Sequence, residues 1–309
     1  MIKRKFGALP SPPDPRDYRF ADIGGAAIKP QPYHSDVKDI IVNQLDSMQC
    51  GACALAAARY EREYRQNGNT RELSHTFAYG SDYDLSSEGM YARTVAKIGA
   101  TGIPYATDWE SWGDKQTCRK LVKRNTTDKL TEEAHKLRCS RYYRCNSWTE
   151  VCNAVRATHG GVILLVAVYE NWYGVGSDGV VGKNKGQYCG GHFVRVKDYE
   201  MLPIGNVILR CQYSWGEDWG DGGYCYLYSD INTFVEAWAL VDDVDEVVRR
   251  LFEDVAEDSW AREAIEYCAK NGILSGFEDG TFRPGENVTR EQAAMIAYQI
   301  LKKLEGSNA

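Results

Sequence analysis

The chain has 309 residues, 37 Lys and Arg against 43 Asp and Glu, a formal net charge of -6 and 43% hydrophobic residues, the size and composition of a two-lobed globular unit plus a small module. The acidic balance argues against a nucleic-acid partner, and the basic patches CRKLVKR and CSRYYRC are short enough to be solvated faces. No stretch is long and apolar enough to span a membrane, so no membrane partner is expected. The opening MIKRKFGALPSPPDPRDYRF is positively charged without an apolar core and does not read as a secretory signal. Its prolines predict an extended arm over the domain surface.

The next block, NQLDSMQCGACALAAA from Asn43 to Ala58, places Cys50 at the head of an Ala-rich helix expected over Cys50–Gln66, six positions after Gln44. Ala52 to Ala58 predict burial on all sides, and Glu61, Arg62, Glu63 and Arg65 are expected to carry the helix into solvent. A thiol at a helix N-terminus feels the positive end of the dipole and unpaired N–H donors, which favour thiolate. The N–H of Cys50 and the amide of Gln44 are suited to a developing oxyanion. Further helices are expected over Ser86–Gly99 and Thr131–Lys136, and strands over Val162–Tyr169, Phe193–Tyr199, Val207–Tyr213 and Tyr224–Tyr228. His192 follows two glycines and opens an alternating run that predicts one exposed face. The Gly-rich loop from Trp172 to Tyr188 is either a lid or a passive surface loop. Trp215, Gly216, Trp219, Gly220, Gly222 and Gly223 predict a tight corner between two strands.

The order of Gln44, Cys50, His192 and SWGEDWGDGGY resembles the papain-like cysteine peptidases, whose motifs are a Q-x5-C helix start, a Gly-His strand and NSWGxxWGxxGY. The segments PSPPDPRDYRF, SHTFAYGSDYDLSSEGMYARTVAKIGATG and GGVILLVAVYENWYG extend the likeness to the bacterial and viral branch. The resemblance implies an α+β, two-lobed fold over residues 1–245, with a helical lobe and an antiparallel sheet or barrel lobe. It implies Cys50 as nucleophile, His192 as base and later acid, and Gln44 as oxyanion donor. The asparagine that orients the histidine in that family aligns with Tyr213. Either the Tyr213 hydroxyl takes the task, or Gln212, one position early, reaches it through a bulge. No cofactor is expected. One rival is tetrahedral zinc, because Cys50-Gly-Ala-Cys53 and Cys189-Gly-Gly-His192 have ligand spacing. Another, prompted by Tyr213, is an idle wall-binding or virion protein that keeps the fold.

From 246 onward the chain reads as a linker and a small α-helical module ending at 309. Trp260, Ala264, Ile265 and Ala269 recur at helical spacing, Gly272, Gly276, Asp279 and Gly280 punctuate a loop, and Thr289 with Gln292 forms a capping box for a final helix. The motifs F-x-D-V, DGTFRP and VTREQ resemble a single S-layer homology (SLH) module. That resemblance implies binding to acidic cell-wall polysaccharide, with Arg290 at the anion and Trp260 and Asp279 beside it. A unit this small buries little alone, so either it packs on the catalytic unit or three chains share a prism as a homotrimer.

The function expected is a cysteine peptidase at the cell wall or extracellular surface, acting on protein or on peptidoglycan stem peptides. Without a recognised signal, release by lysis, as for a phage-type protein, accounts for its reaching the wall. Ten cysteines are expected to be mostly free thiols, Cys139 and Cys145 being the pair placed to bridge.

Overall fold

The computed structural model describes residues 4–23, 25, 30–203, 205–244, 252, 254–256, 258–270, 273, 274, 276, 277 and 281–306. A two-residue strand β1 (Ala8–Leu9) precedes the helical lobe. That lobe comprises α1 (Cys50–Asn67), α2 (His75–Gly80), strand β2 (Met90–Tyr91), α3 (Ala92–Thr101), α4 (Lys115–Asn125) and α5 (Asp128–Lys136). The second lobe holds β3 (Arg141–Cys145), α6 (Trp148–Thr158), β4 (Val162–Tyr169), β5 (Tyr188–Met201), β6 (Val207–Gln212), β7 (Tyr224–Tyr228) and β8 (Glu236–Val241). Its six strands form one antiparallel sheet in the order β3-β8-β4-β5-β6-β7. The helices α7 (Arg262–Lys270) and α8 (Arg290–Gly306) follow. The α+β, two-lobed, papain-like architecture expected from the motifs is the one observed.

Local rules account for most helix limits. Asp114, Thr127 and Ser147 cap α4, α5 and α6 by accepting backbone N–H groups three residues on, and Gly68 closes α1 in the left-handed region at φ 64°. One limit differs from expectation: α3 begins at Ala92, not Ser86. The buried Lys115 ammonium donates to Asp82 and to the carbonyls of Asp84, Ser87 and Gly89, which holds 84–89 in irregular turns. All ten cysteines are free, and Cys139 and Cys145 are separately buried rather than bridged.

The charged tail of α1 enters solvent only from Tyr64 on, with Arg65 exposed as expected but the three charges before it buried. Glu61, Arg62 and Glu63 are 0%, 7% and 2% exposed. Nor does β5 have an exposed face, because α1 packs against it, α6 also contacts it, and residues 191–199 are all buried. The alternation of Phe193, Arg195 and Lys197 therefore marks a strand whose charges point into a buried network. Arg195 donates to Glu61, to Asp39 (2.9 Å) and to the Gln212 carbonyl oxygen (3.2 Å). Lys197 and the Tyr224 hydroxyl converge on the same Asp39 oxygen at 2.8 and 2.7 Å. Charges this dry persist because each is paired.

At the C-terminal end, Phe252, Val255, Ile265 and Ala269 join the hydrophobic core that includes Phe20 and Ile23, so the module packs on the two-lobed unit. The expected capping box forms: Thr289 N–H donates to Gln292 Oε1 (2.8 Å), and Gln292 N–H to Thr289 Oγ (3.1 Å). Met295, Tyr298, Leu301 and Leu304 on α8 stay exposed.

Burial alone would raise the Asp39 carboxyl, but Arg195 and then Lys197 hold it below the usual carboxylate range. A depressed carboxyl stabilises the fold fully above its unfolded pKa and loses that contribution as pH falls through the folded value. Replacing Arg195 by Met is expected to cost about 3–5 kcal/mol in urea unfolding at neutral pH, and to move the acid limb of stability to higher pH. A loss below about 1 kcal/mol would mean that the network is not a structural clamp.

Candidate active site

Cys50 begins α1, and Gln49 holds the N-cap position without making a side-chain cap bond. The Gln49 amide is spent elsewhere: Nε2 donates to the Ser111 and Gly113 carbonyls, and Oε1 meets His75 Nδ1 at 2.7 Å. His75 stacks on Trp112 at 3.9 Å and lies 3.2 Å from Glu110. This buried cluster anchors the helix start. Gly51 makes the helix's approach to β5 possible, since a Cβ there would lie 2.8 Å from Val95 and 3.1 Å from the Phe193 ring.

The Cys50 thiol is fully buried, and the backbone N–H groups of Phe193, Gly7 and Gly51 lie close enough to favour its thiolate slightly. Phe193 is the residue after His192, so the thiol and the histidine-bearing strand meet across the lobes. Burial pushes the thiol up to about 11 despite those donors. Burial first, and then the nearby Arg4 cation, push the His192 imidazole down to about 3. Both groups are therefore neutral near pH 7. His192 Nδ1 is buried with no hydrogen-bond partner, and Nε2 lies 3.4 Å from the Ser214 hydroxyl.

Gln44 is fully buried beside this pair. Its Nε2 donates to the carbonyls of Ser47 (2.7 Å) and Lys5 (3.3 Å), and its Oε1 accepts from Ser214 at 2.6 Å. Tyr213 lies flat on His192, with ring centroids 4.2 Å apart and planes 12° apart, and its own hydroxyl has no partner. It thus holds the ring plane by stacking and not through its hydroxyl. Gln212 does not reach the histidine. Strand alternation turns its amide to the Ile40 carbonyl and Arg195, and the one irregularity on this edge falls between Val196 and Asp198 on β5.

The proline stretch lies over the surface as its composition suggests, with Pro10, Pro12, Pro13 and Pro15 exposed, but residues 4–9 ahead of it fill the cleft. Arg4 sits 4.4 Å above the Trp215 ring and donates to its carbonyl at 3.3 Å. Phe6 meets His192 and Trp215 edge-on at 6.2 and 6.0 Å. Gly7 carbonyl accepts from Met90 N–H at 2.7 Å, and β1 runs parallel to β2. Small residues make the passage: a Cβ on Gly7 would lie 2.2 Å from the Met48 carbonyl, and one on Gly191 would lie 2.5 Å from that of Ala8. Of the loop from Trp172 to Tyr188, the leading turn reaches the cleft, where Tyr173 stacks on Trp215 at 5.7 Å. The spacing reading had no signal for Ser214, His75 or Arg4. Ser214 lay inside the quoted SWG motif, but nothing there distinguished its hydroxyl from a packing group.

The zinc reading fails. Among the described residues no group of three or more His, Cys, Asp or Glu side chains is placed to hold a metal ion. Cys53 faces Ile40, Glu72 and Leu73 one turn along α1, while Cys189 neighbours Tyr173, so the CxxC and CxxH spacings do not converge. In the C-terminal module, Arg290 is exposed at the start of α8 and Trp260 is 96% exposed. Asp279 lies outside the described residues. A groove of about 640 Å³ beside α8 is lined by Phe282, Arg283, Glu291 and Met295 among others, and Arg290 is not part of its wall.

Comparison with known proteins agrees with both halves. The fold is similar to that of xylellain, a cysteine protease from Xylella fastidiosa, with a TM-score of 0.61 and 20% identity over 78% of this chain and 97% of that one. It is also similar to procathepsin B S9 from Trypanosoma congolense, with a TM-score of 0.52 and 15% identity over 73% of this chain and 89% of that one. These likenesses establish the papain-like cysteine protease fold. Residues 251–294 match the family model of the S-layer homology domain. The outer membrane protein SlpA of Thermus thermophilus is 52% identical over 54 residues, 18% of this chain and 6% of that protein. The cellulosome-anchoring protein of Acetivibrio thermocellus is 38% identical over 53 residues, 17% of this chain and 12% of that protein. The chain thus spans a small fraction of the curated relatives it matches, and the match is confined to the module.

With both groups neutral in the closed cleft, site-resolved alkylation by iodoacetamide across a pH series is expected to leave Cys50 nearly unmodified at pH 7. Its rate should climb only in the alkaline range, toward an inflection near 11. A thiolate plateau already present below pH 7 in the intact chain would contradict this assignment.

Proposed function

We propose that the chain is a cysteine peptidase of the papain-like type, with residues 1–245 as the catalytic unit and 246–309 as linker and wall-binding module, and that residues 4–9 hold it closed. What supports this is a thiol at a helix N-terminus beside the residue that follows His192, a histidine whose Nδ1 is buried without a partner, and a glutamine amide already donating to a carbonyl oxygen. When the arm leaves, solvent and substrate replace it, and the cause of both pKa displacements is relieved. Cys50 then attacks a peptide carbonyl while His192 Nδ1 takes the thiol proton. Gln44 Nε2 and the Cys50 N–H hold the tetrahedral oxyanion. The protonated His192 gives its proton to the leaving amine, and water, activated by the same imidazole, cleaves the thioester.

The module places this chemistry at the cell surface. Its relatives include a protein named for anchoring the cellulosome and an outer membrane protein, which supports attachment to wall polysaccharide. Arg290 at the start of α8 suits an acidic sugar, since the helix dipole and the guanidinium favour the same anion. Substrates are then envelope proteins or the peptide stems of peptidoglycan. The competing reading, an idle scaffold that only binds walls, is favoured by the absence of a side-chain amide at position 213.

Deleting residues 1–9 separates the two readings. The truncated protein is expected to react at Cys50 with an epoxide thiol reagent near pH 7 and to hydrolyse casein or wall peptides, with both activities lost in His192→Ala. Equal labelling with and without the imidazole would leave the idle scaffold. In a co-sedimentation assay with purified walls, Arg290→Ala is expected to bind roughly ten-fold more weakly, the worth of one charge-assisted hydrogen bond, without change in thiol reactivity. Unchanged binding would remove Arg290 from the site.

A further inference from the structure

We infer that Ser214 sets the protonation pattern of the His192 ring, taking over the tautomer control that the absent amide at position 213 would exert. The inference rests on the reading of Cys50 and His192 as the reacting pair, and assigns a positioning residue to it.

The logic follows the direction of each hydrogen bond. Gln44 Nε2 donates to two carbonyl oxygens, those of Ser47 and Lys5, so the opposite end of the amide is its carbonyl oxygen. That oxygen accepts only, so at 2.6 Å the Ser214 hydroxyl must donate to it. The single proton of Ser214 is thereby committed, and toward His192 Nε2, at 3.4 Å, the hydroxyl has lone pairs alone to offer. Nε2 must then carry the ring proton, because two lone pairs facing each other repel. A neutral imidazole has one N–H, which leaves Nδ1 as the bare lone pair, and Nδ1 is the buried ring atom with no partner. A thiol proton can be accepted only there.

Tyr213 completes the arrangement without touching either nitrogen, since its ring lies parallel to the imidazole and fixes the plane in which Nε2 meets Ser214. The orienting work is therefore divided. Stacking holds the plane, and a hydroxyl chained to the oxyanion glutamine holds the tautomer. The same hydroxyl also orients Gln44, so the oxyanion donor and the base are coupled through one proton.

The tautomer is readable without turnover. In the intact chain labelled with 15N-histidine, long-range proton–nitrogen correlation at pH 7 is expected to show His192 protonated at Nε2 and bare at Nδ1, its signals assigned by their loss in His192→Gln. Ser214→Ala should give a mixture of tautomers, and Ser214→Thr should restore the single form. Gln44→Glu keeps an acceptor for the Ser214 proton and should retain the tautomer, although it removes the oxyanion amide. In protein lacking residues 1–9, Ser214→Ala should slow Cys50 alkylation at pH 7 roughly ten-fold, the worth of one hydrogen bond, with recovery in Ser214→Thr. A wild-type ring protonated at Nδ1, or an Ser214→Ala ring with the wild-type pattern, overturns the inference. Absence of peptide hydrolysis alongside the expected tautomers would count against the peptidase reading alone.

Discussion

The whole site hangs on how α1 lies against β5. The first turns of α1 are mostly Gly and Ala, which let helix and strand come close but offer few ridges to fix how far one slides along the other. The register is supplied lower down, where Glu61 and Arg195, both fully buried, close an ion pair. Glu61 is eleven residues from Cys50, about 16 Å along a helix. Arg195 is three residues from His192, about 10 Å along a strand. Because Asp39, itself held by Lys197 and Tyr224, holds Arg195 from the other side, neither partner can shift without stranding a charge. A sliding contact thereby becomes a single position, in which the backbone beside His192 faces the sulfur.

On the proposed reading, the closed site is inactive for a simple electrostatic reason. An ion pair of thiolate and imidazolium must be hydrated or otherwise compensated, and a cleft filled by Phe6 and Gly7 supplies little compensation. Arg4 adds a cation near the imidazole and so opposes a second positive charge there. The neutral thiol and neutral imidazole are the consistent pair for a closed cleft, as the charged pair is for an open one. No residue of the catalytic set has to move for the change; only its surroundings do.

The chemistry-bearing blocks were legible because they are local. Gln44 to Cys50 is a loop and a helix start, and His192 beside two glycines is a strand with room next to it. What sequence pattern could not convey was pairing at long range. Period two along Phe193 to Lys197 describes a strand whether its charges meet water or a helix 134 residues away, as Arg195 meets Glu61. The late start of α3 has the same origin, since Lys115 acts on residues 84–89 from another helix. Composition marked the N-terminal arm as extended, correctly, but its berth depends on glycines far apart in the chain, Gly7 and the adjacent Gly190 and Gly191, whose missing side chains make one channel. Position 213 misled through residue type. A tyrosine invites a hydrogen-bonding role, yet in a buried aromatic corner with Trp215 and Trp219 its ring is the useful part.

The arm's other end explains why so short a segment can hold the cleft. Beyond the strand pairing, Ser11 N–H donates to the buried Glu236 at 2.7 Å, Asp17 is gripped by Arg93 at 2.6 Å, and Phe20 is fully buried against Tyr143. The turn Phe20–Ile23 then shares a core with Phe252, Val255 and Ile265 of the C-terminal module. The arm is thus stapled to the body between the cleft and the module, and residues 4–9 return to the site as part of the same chain. A tethered blocker needs little affinity of its own, because the chain supplies a high effective concentration. Its few contacts, among them one parallel two-residue pairing, one stacked guanidinium, one edge-on ring and the Lys5 carbonyl accepting from Gln44, suffice while the staple holds, and cutting between cleft and staple would leave a peptide with such local contacts alone.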